Sequence, residues 1–174
     1  MPFRSKNSFA KTHPHLKEFT DFLVLFNKES DRGGVLIATS MLDNLLEKII
    51  SSYLVDTPES SKLLEGFNAP IGTLSSRVLC AYALGLLSEK EYRECEQLRK
   101  IRNDFAHHVH ASYNDQSIVD RCNNLTYSVQ ETDPSAKGYA RSLFITSAVS
   151  LILNLTNRAA YAKKKRLKYA DWPY

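Results

Sequence analysis

The chain has 174 residues, of which 43% are hydrophobic and 24% charged, with six glycines and six prolines. This composition is typical of one soluble domain and excludes collagen-like, mucin-like and fully disordered classes. Lys, Asp or Asn interrupts every apolar run before it approaches the ~20 residues of a membrane span. The first 15 residues lack the apolar segment of a secretion signal, so a cytoplasmic protein is expected.

Apolar residues recur every three or four positions in the first half of the chain, which predicts three helices. The first spans residues 16–26, and the second carries an apolar stripe from Val35 to Tyr53. Pro58, a residue suited to the first turn of a helix, opens the third, which is expected to end near Gly66. Residues 66–73 contain two glycines, a proline and an asparagine, and therefore predict a loop.

Two capping signals follow the loop. Thr73 or Ser75 is a candidate cap for the fourth helix. Ser88 and Glu91 have the spacing of a capping box, in which the hydroxyl serves a free N–H and the carboxylate reaches back. The helix that this box opens is expected to end between residues 107 and 110.

The remaining pattern is also helical. Apolar spacing marks a helix over residues 118–129, and Asp133–Pro134 has the form of a cap and first turn for the last helix. No sustained alternation predicts a strand. The sequence therefore predicts an all-α fold, a single compact bundle of six or seven helices over residues 14–162. A flexible segment (1–13) and a basic tail (163–174) are expected to flank it.

Cysteine and charge give two further expectations. Three cysteines (Cys80, Cys95 and Cys122) form no Cys-x-x-Cys pair and lie among apolar helical neighbours, so reduced core thiols are expected. The formal net charge is +4. Five basic residues of the tail alone supply +5, so the rest of the chain sums to about −1; they are Lys163, Lys164, Lys165, Arg166 and Lys168. Such a tail can bind nucleic-acid phosphates by counterion release. The alternative is a solvated helix end whose basic residues complement the helix dipole.

Residues 98–110 form the chemically densest segment. The common phosphate-loop, dinucleotide, His-Glu-x-x-His and paired-cysteine motifs are absent, so no cofactor is predicted. Ile101 and Phe105 are expected to face the core. Asn103 and His107, four residues apart, then share an outward face, and Arg102 lies at the edge of the apolar stripe, partly buried.

Four interpretations of this segment stay open. Arg102 and Asn103 could tie the helix to its neighbours while His107 and His108 complement its negative end. Metal binding would use Asp104 with the nearby histidines, but these do not converge on one helix face, so no metal site is predicted.

The other two interpretations are functional. Arg102 can hold a phosphate with two parallel hydrogen bonds, and His107 can exchange a proton with a ribose 2′-hydroxyl or a leaving oxygen, with Asn103 beside them. The exposed polar edge around Asn103 could instead be a surface for a protein partner.

Five segments in order resemble one family: DRGG (31–34), LDNLLE (42–47), APIGTLSSR (69–77), AYALGLLS (81–88) and LRKIRNDFAH (98–107). Together they resemble the MltR family, named for the mannitol operon repressor. The resemblance implies a compact all-helical fold, a transcription regulator and a homodimer. It implies no recognised DNA-reading module, so we expect a regulator that acts through protein contacts or indirect nucleic-acid contacts.

Residues 102–107 are also similar to the Arg-x4-His signature of HEPN domains. Many HEPN proteins are metal-independent ribonucleases that act as dimers, whereas others are non-catalytic binding modules. The resemblance implies that Arg102 would stabilise phosphate charge, His107 would act as base or acid, and Asn103 would orient the substrate. A HEPN-type endoribonuclease and a non-catalytic helical binding module are therefore the alternative functions.

Overall fold

The computed structural model describes residues 12–128 and 133–173, and in these ranges it contains helices and no strand. A short 3-10 helix (Pro14–Leu16) leads into α1 (Lys17–Phe26), α2 (Asp31–Tyr53), α3 (Pro58–Leu64), α4 (Leu74–Ala83), α5 (Glu89–His107), α6 (Gln116–Asn123), α7 (Tyr139–Leu155) and α8 (Arg158–Lys164). The predicted all-α bundle is confirmed. Most of the segment predicted to be flexible, residues 1–11, lies outside the described residues.

Helix α2 is the centre of the bundle. It packs against α1, α3, α4, α5, α7 and α8, and ten of its 23 residues are buried. Val35, Leu46, Ile49 and Ile50 are completely inaccessible to solvent. The predicted apolar stripe therefore contributes strongly to packing, because burial of an aliphatic side chain contributes about 1.5–3 kcal/mol.

Both capping predictions are correct. Thr73 caps α4, with its hydroxyl oxygen 3.2 Å from the Ser76 N–H that donates to it. Ser88 caps α5: its hydroxyl accepts from the Glu91 N–H at 3.3 Å, and the Glu91 carboxylate accepts from the Ser88 N–H at 2.8 Å. These local bonds fix where α4 and α5 begin.

The predicted boundaries after α5 are wrong in two places. Helix α6 ends at Asn123, because the N–H groups of Thr126 and Tyr127 donate to the buried Glu94 carboxylate at 2.9–3.1 Å and do not continue the helix. Residue 129, the predicted end, lies outside the described residues.

The start of α7 differs as well. This helix begins at Tyr139, after Gly138 in the left-handed conformation with a φ of 82°. Asp133, the predicted cap, instead accepts from the N–H and hydroxyl of Ser135 at 2.9 and 2.8 Å, which closes a turn. A short polar side chain can stabilise either arrangement, so the cap-like sequence does not decide between them.

Residues 139–164 are the one described stretch that is long and apolar enough to cross a membrane, since an 18-residue window within it has a mean hydropathy of 1.2. Helix α7, which forms most of this stretch, packs against α2, α5 and α6. Its buried side chains are Ala140, Leu143, Phe144, Ser147, Ala148, Leu151, Ile152 and Leu155. In this structure its apolar residues therefore serve as the core of the bundle.

A buried arginine joins α2, α4 and the loop between α3 and α4. The Arg77 side chain is 7% exposed and forms ion pairs with Asp43 at 2.8 Å and Glu47 at 2.5 Å. It also donates to the main-chain carbonyls of Leu64 at 3.0 Å and Ile71 at 3.1 Å. Two carboxylates and two carbonyls therefore compensate the loss of water around one guanidinium.

A second buried ion pair joins α5 to α8. Arg158 donates to the Glu91 carboxylate at 2.7 Å. Burial alone would raise the pKa of Glu91, but the hydrogen bonds from Arg158 and Ser88 outweigh it, so the pKa lies below its ordinary value of 4.5.

Replacement of the buried guanidinium is expected to be costly. Arg77→Ala leaves Asp43 and Glu47 without their cation, so we expect a loss of about 3–5 kcal/mol in unfolding free energy. Urea denaturation followed by circular dichroism measures it. Arg93→Ala, which removes an exposed pair with Glu89, is the control and should change stability by less than about 0.5 kcal/mol. Similar losses in both variants would contradict the role of Arg77.

The Glu91 pair predicts a specific acid sensitivity. A carboxyl whose pKa is lowered by folding contributes stability above its unfolded pKa and loses that contribution as the pH falls through the folded pKa. The unfolding free energy should therefore decrease below a pH of about 4.5, and the decrease should be smaller in Glu91→Gln. Urea unfolding at a series of pH values tests this. Identical pH profiles would show that Glu91 contributes nothing.

Candidate functional site

The C-terminal half of α5 is oriented as the sequence predicts. Ile101 and Phe105 are fully buried. Arg102 and Asn103 are half-buried, and His107 is exposed at the end of the helix. The apolar pair thus fixes the rotation of α5 and leaves the polar side chains at its edges.

Arg102 and Asn103 open into a polar cleft of about 390 Å³ between three helices. One wall is α2, the second is the first turn of α4, and the third is α5. The lining residues are Thr39, Ser40, Asp43, Thr73, Leu74, Ser75, Arg99, Arg102 and Asn103. Because eight of these nine side chains are polar, the cleft is suited to hydrogen-bonding ligands and not to apolar ones.

Two of the three charged groups in the polar cleft are already paired. Arg99 binds Glu96 with two parallel hydrogen bonds of 2.9 and 2.8 Å. The hydrogen bond from Arg99 is the main reason that the pKa of Glu96 lies below its ordinary value. Asp43 binds Arg77 through one carboxylate oxygen, and its other oxygen is buried without a hydrogen-bond partner in the described residues.

Arg102 is the exception. Its guanidinium makes one hydrogen bond, to the Asn103 amide oxygen at 3.2 Å. Among the nine arginines of the described ranges, it alone contacts neither a carboxylate nor a main-chain carbonyl. The eight engaged arginines are Arg32, Arg77, Arg93, Arg99, Arg121, Arg141, Arg158 and Arg166. A half-buried guanidinium with no such partner is available to an external acceptor.

The start of α4 adds to the positive potential of the polar cleft. Leu74 and Ser75 are the first two residues of α4 and line the cleft. The N–H groups of a first helical turn have no partner within their helix and carry the positive end of its dipole. The cleft is thus more favourable to a hydrogen-bond acceptor than Arg102 alone would make it.

The histidines line a different cleft. A space of about 560 Å³ at the end of α5 is lined by His107, His108 and His110, together with Asp115, Ser117 and Ile118. Arg32 fixes the chain there by donating to the carbonyls of His108 and Val109 at 2.6 and 2.7 Å. This histidine cleft does not include Arg102 or Asn103.

The predicted set of Arg102, Asn103 and His107 is therefore divided between two clefts in one protomer. Residues five positions apart on an α-helix point about 140° apart, so Arg102 and His107 diverge. Asn103 and His107, although one turn apart, also line separate spaces. The catalytic roles that the HEPN resemblance implies remain predictions.

Neither metal ligands nor a reactive thiol is assembled in the described ranges. No group of three His, Cys, Asp or Glu side chains there is placed to hold a metal ion, and Asp104 is bound by Arg121 at 2.7 Å. The three cysteines are free thiols; Cys95 and Cys122 are buried and Cys80 is partly exposed. Burial raises the pKa of all three, that of Cys122 to about 12, so they are poor nucleophiles.

One exposed residue was missed by the sequence analysis. Phe67 is 98% exposed and lies between Gly66 and Asn68, whose φ values are 105° and 60°. Residues 65–73, the Phe67 loop, are held by a hydrogen bond from the Ile71 N–H to the Leu63 carbonyl at 2.7 Å and by Arg77. An aromatic residue in a loop rich in turn formers was the available signal, but its exposure depends on tertiary contacts.

Comparison with known proteins supports the fold. No protein-family model matches the chain, and no curated protein does. Among solved structures, the chain is similar to the X-ray structure of the MtlR–HPr complex from Escherichia coli, with a TM-score of 0.55 and 19% sequence identity. The match covers 82% of this chain and 96% of that chain. The protein therefore has an MltR-like all-helical fold.

If Arg102 serves a ligand and not the fold, its removal should be tolerated. Arg102→Ala deletes one hydrogen bond to a neighbouring side chain, so we expect the unfolding free energy to change by less than about 0.5 kcal/mol. Urea denaturation of Arg102→Ala and Arg77→Ala under the same conditions measures the unfolding free energies of both variants. A loss above about 2 kcal/mol would assign Arg102 to the structural framework.

Proposed function

We propose that this chain is a regulatory protein that acts by binding a partner of the HPr type, through a surface formed by the polar cleft and the Phe67 loop. The observation that carries the proposal is the guanidinium of Arg102, which faces an open polar cleft without a carboxylate of its own. The similar structure from Escherichia coli is a complex of MtlR with the protein HPr, and this supports a protein partner.

The two parts of the surface are connected through the chain. The Phe67 loop ends at Thr73, which caps α4 and lines the polar cleft. Arginine and aromatic residues dominate the binding energy of most protein interfaces. Here Phe67 offers an apolar anchor and Arg102 a charged one, and the network around Arg77 holds the loop before a partner arrives. A preorganised loop loses little conformational entropy on binding.

The same geometry weighs against the alternatives. A ribonuclease of the HEPN type would need Arg102 and His107 around one phosphate, and the two line separate clefts in a protomer. A second protomer would have to supply one of them. Regulation through partner binding needs no residue from a second protomer, whereas the ribonuclease would depend on the homodimer that the family resemblance implies.

Binding to purified Escherichia coli HPr, measured by isothermal titration calorimetry, tests the proposal. We expect a Kd in or below the range of about 100 µM for the unmodified chain. Phe67→Ala and Arg102→Ala should each weaken binding at least about tenfold, because each removes an anchor of the interface.

Two matched variants control for general effects. Leu25→Ala removes an apolar side chain that is 57% exposed on α1, and Arg93→Ala removes an exposed arginine from α5. Both should bind HPr as the unmodified chain does. Absence of binding at about 1 mM HPr would contradict the proposed function, and full binding by both anchor variants would contradict the proposed surface.

A further inference from the structure

The end of the described chain is an extended segment fastened to the bundle at one point. Helix α8 ends at Lys164, and residues 166–173 form no helix. The Leu167 N–H donates to the Tyr53 carbonyl at 2.7 Å. Arg166 donates to the Ser52 carbonyl at 3.1 Å and pairs with Asp56. Arg166, predicted from the sequence as a phosphate contact, is thus engaged in holding the tail.

The lysines around this anchor are unpaired. Lys163, Lys164, Lys165 and Lys168 are exposed, and none forms an ion pair with a carboxylate of the described residues. Asp171 is the single acidic residue between positions 163 and 173. The segment therefore carries a concentrated positive charge that the rest of the bundle does not neutralise.

Large aromatic side chains are exposed among these lysines. Tyr161 is 64% exposed, and Tyr169 and Trp172 are each 82% exposed. Tryptophan is highly buried in most proteins, so a solvated indole beside lysines needs an explanation. The Lys164 ammonium already lies 5.4 Å from the centre of the Tyr161 ring.

A groove lies at the point where the segment leaves the bundle. Its volume is about 270 Å³, and its lining includes Tyr53, Tyr161 and Lys165. Because the Tyr53 carbonyl holds the N–H of Leu167, the extended segment starts at the edge of this groove. Aromatic and basic side chains thus continue from the groove into the segment.

We propose that residues 161–172, the basic–aromatic segment, bind single-stranded nucleic acid. The four lysines would contact phosphates, while Tyr161, Tyr169 and Trp172 stack on unpaired bases. Single-strand binding proteins combine these two elements, a positive track for the backbone and aromatic rings for the bases, and they tolerate many sequences. The site is separate from the polar cleft and does not depend on the function proposed for it.

Other occupants fit the segment less well. The bases of a duplex are already stacked, so exposed rings gain nothing there. An amphipathic membrane anchor would need a helix with one continuous apolar face, whereas residues 166–173 form no helix. An acidic protein would satisfy the lysines, but it offers no repeating series of planar groups for three exposed rings as unpaired bases do.

The single tryptophan of the chain allows a direct test. Full-length protein is titrated with oligothymidylate of about 15 nucleotides, with its duplex, and with an abasic strand of equal length. We expect quenching of tryptophan emission by oligothymidylate and not by the abasic strand, because only bases can stack on the indole. In anisotropy measurements, log K should fall with log salt with a slope of about −2 to −3, as expected for three or four phosphate contacts.

Variants separate charge from stacking. Tyr169→Ala with Trp172→Ala should weaken binding of oligothymidylate at least about fivefold and leave binding of the abasic strand unchanged. Lys163→Ala, Lys164→Ala and Lys168→Ala together should weaken binding of both strands and flatten the salt slope. Leu25→Ala, on α1, is the control outside both surfaces and should bind oligonucleotides normally, with all variants checked by circular dichroism.

Several outcomes would overturn the inference. These are absence of oligothymidylate binding, equal affinity for the abasic strand, and tighter binding of the duplex than of the single strand. A tryptophan response to anionic vesicles in the absence of any response to oligothymidylate would assign the segment to membrane surfaces instead. HPr binding measured on the same preparation reports separately on the proposed function.

Discussion

The architecture depends on one buried cation. Arg77 lies where α2, α4 and the Phe67 loop meet, and it is held there by Asp43, Glu47 and the main-chain carbonyls of Leu64 and Ile71. A guanidinium can occupy such a position only when all these acceptors are present, because an uncompensated buried charge is strongly destabilising. The ion pairs therefore fix the position of α4 against α2, the path of the loop and one wall of the polar cleft together. Two of the segments that resemble the MltR family, 42–47 and 69–77, supply residues to this network.

Sequence reasoning succeeds for features of the fold that short stretches of chain determine. The caps at Thr73 and Ser88 and the apolar stripe of α2 are set by neighbours within a few residues, and the structure has them as predicted. It fails where a residue that is distant in sequence determines where a helix ends. The buried carboxylate of Glu94, more than 30 residues away in sequence, captures the N–H groups that would have extended α6. No local pattern around residue 126 contains that information.

The candidate site shows the same division. Helical geometry alone places Ile101 inside and separates Arg102 from His107, whereas the availability of Arg102 could not be predicted. A partly buried arginine normally finds a carboxylate, and Arg99, one turn earlier on the same helix, does find one in Glu96. Whether the next arginine is left unpaired depends on which side chains α2 and α4 bring opposite to it. The exposure of Phe67 likewise follows from the loop conformation, which Arg77 stabilises through its hydrogen bonds to the Leu64 and Ile71 carbonyls.

The basic side chains of this protein fall into two groups: those that form ion pairs and stabilise the fold, and those that have no carboxylate partner and are available to a ligand. Arg77, Arg158 and Arg166 each bind a carboxylate together with main-chain carbonyls, and each fastens one segment of chain to another. Arg102 and the lysines of the basic–aromatic segment have no such partners in the described residues, and they lie beside a cleft and a groove respectively. Both surfaces rest on the same rigid bundle, since one is framed by the N-terminal end of α4 and the other starts at the C-terminal end of α2. A protein with the two proposed surfaces can hold a protein partner and a nucleic-acid strand at once, because neither ligand competes for the groups that the other uses.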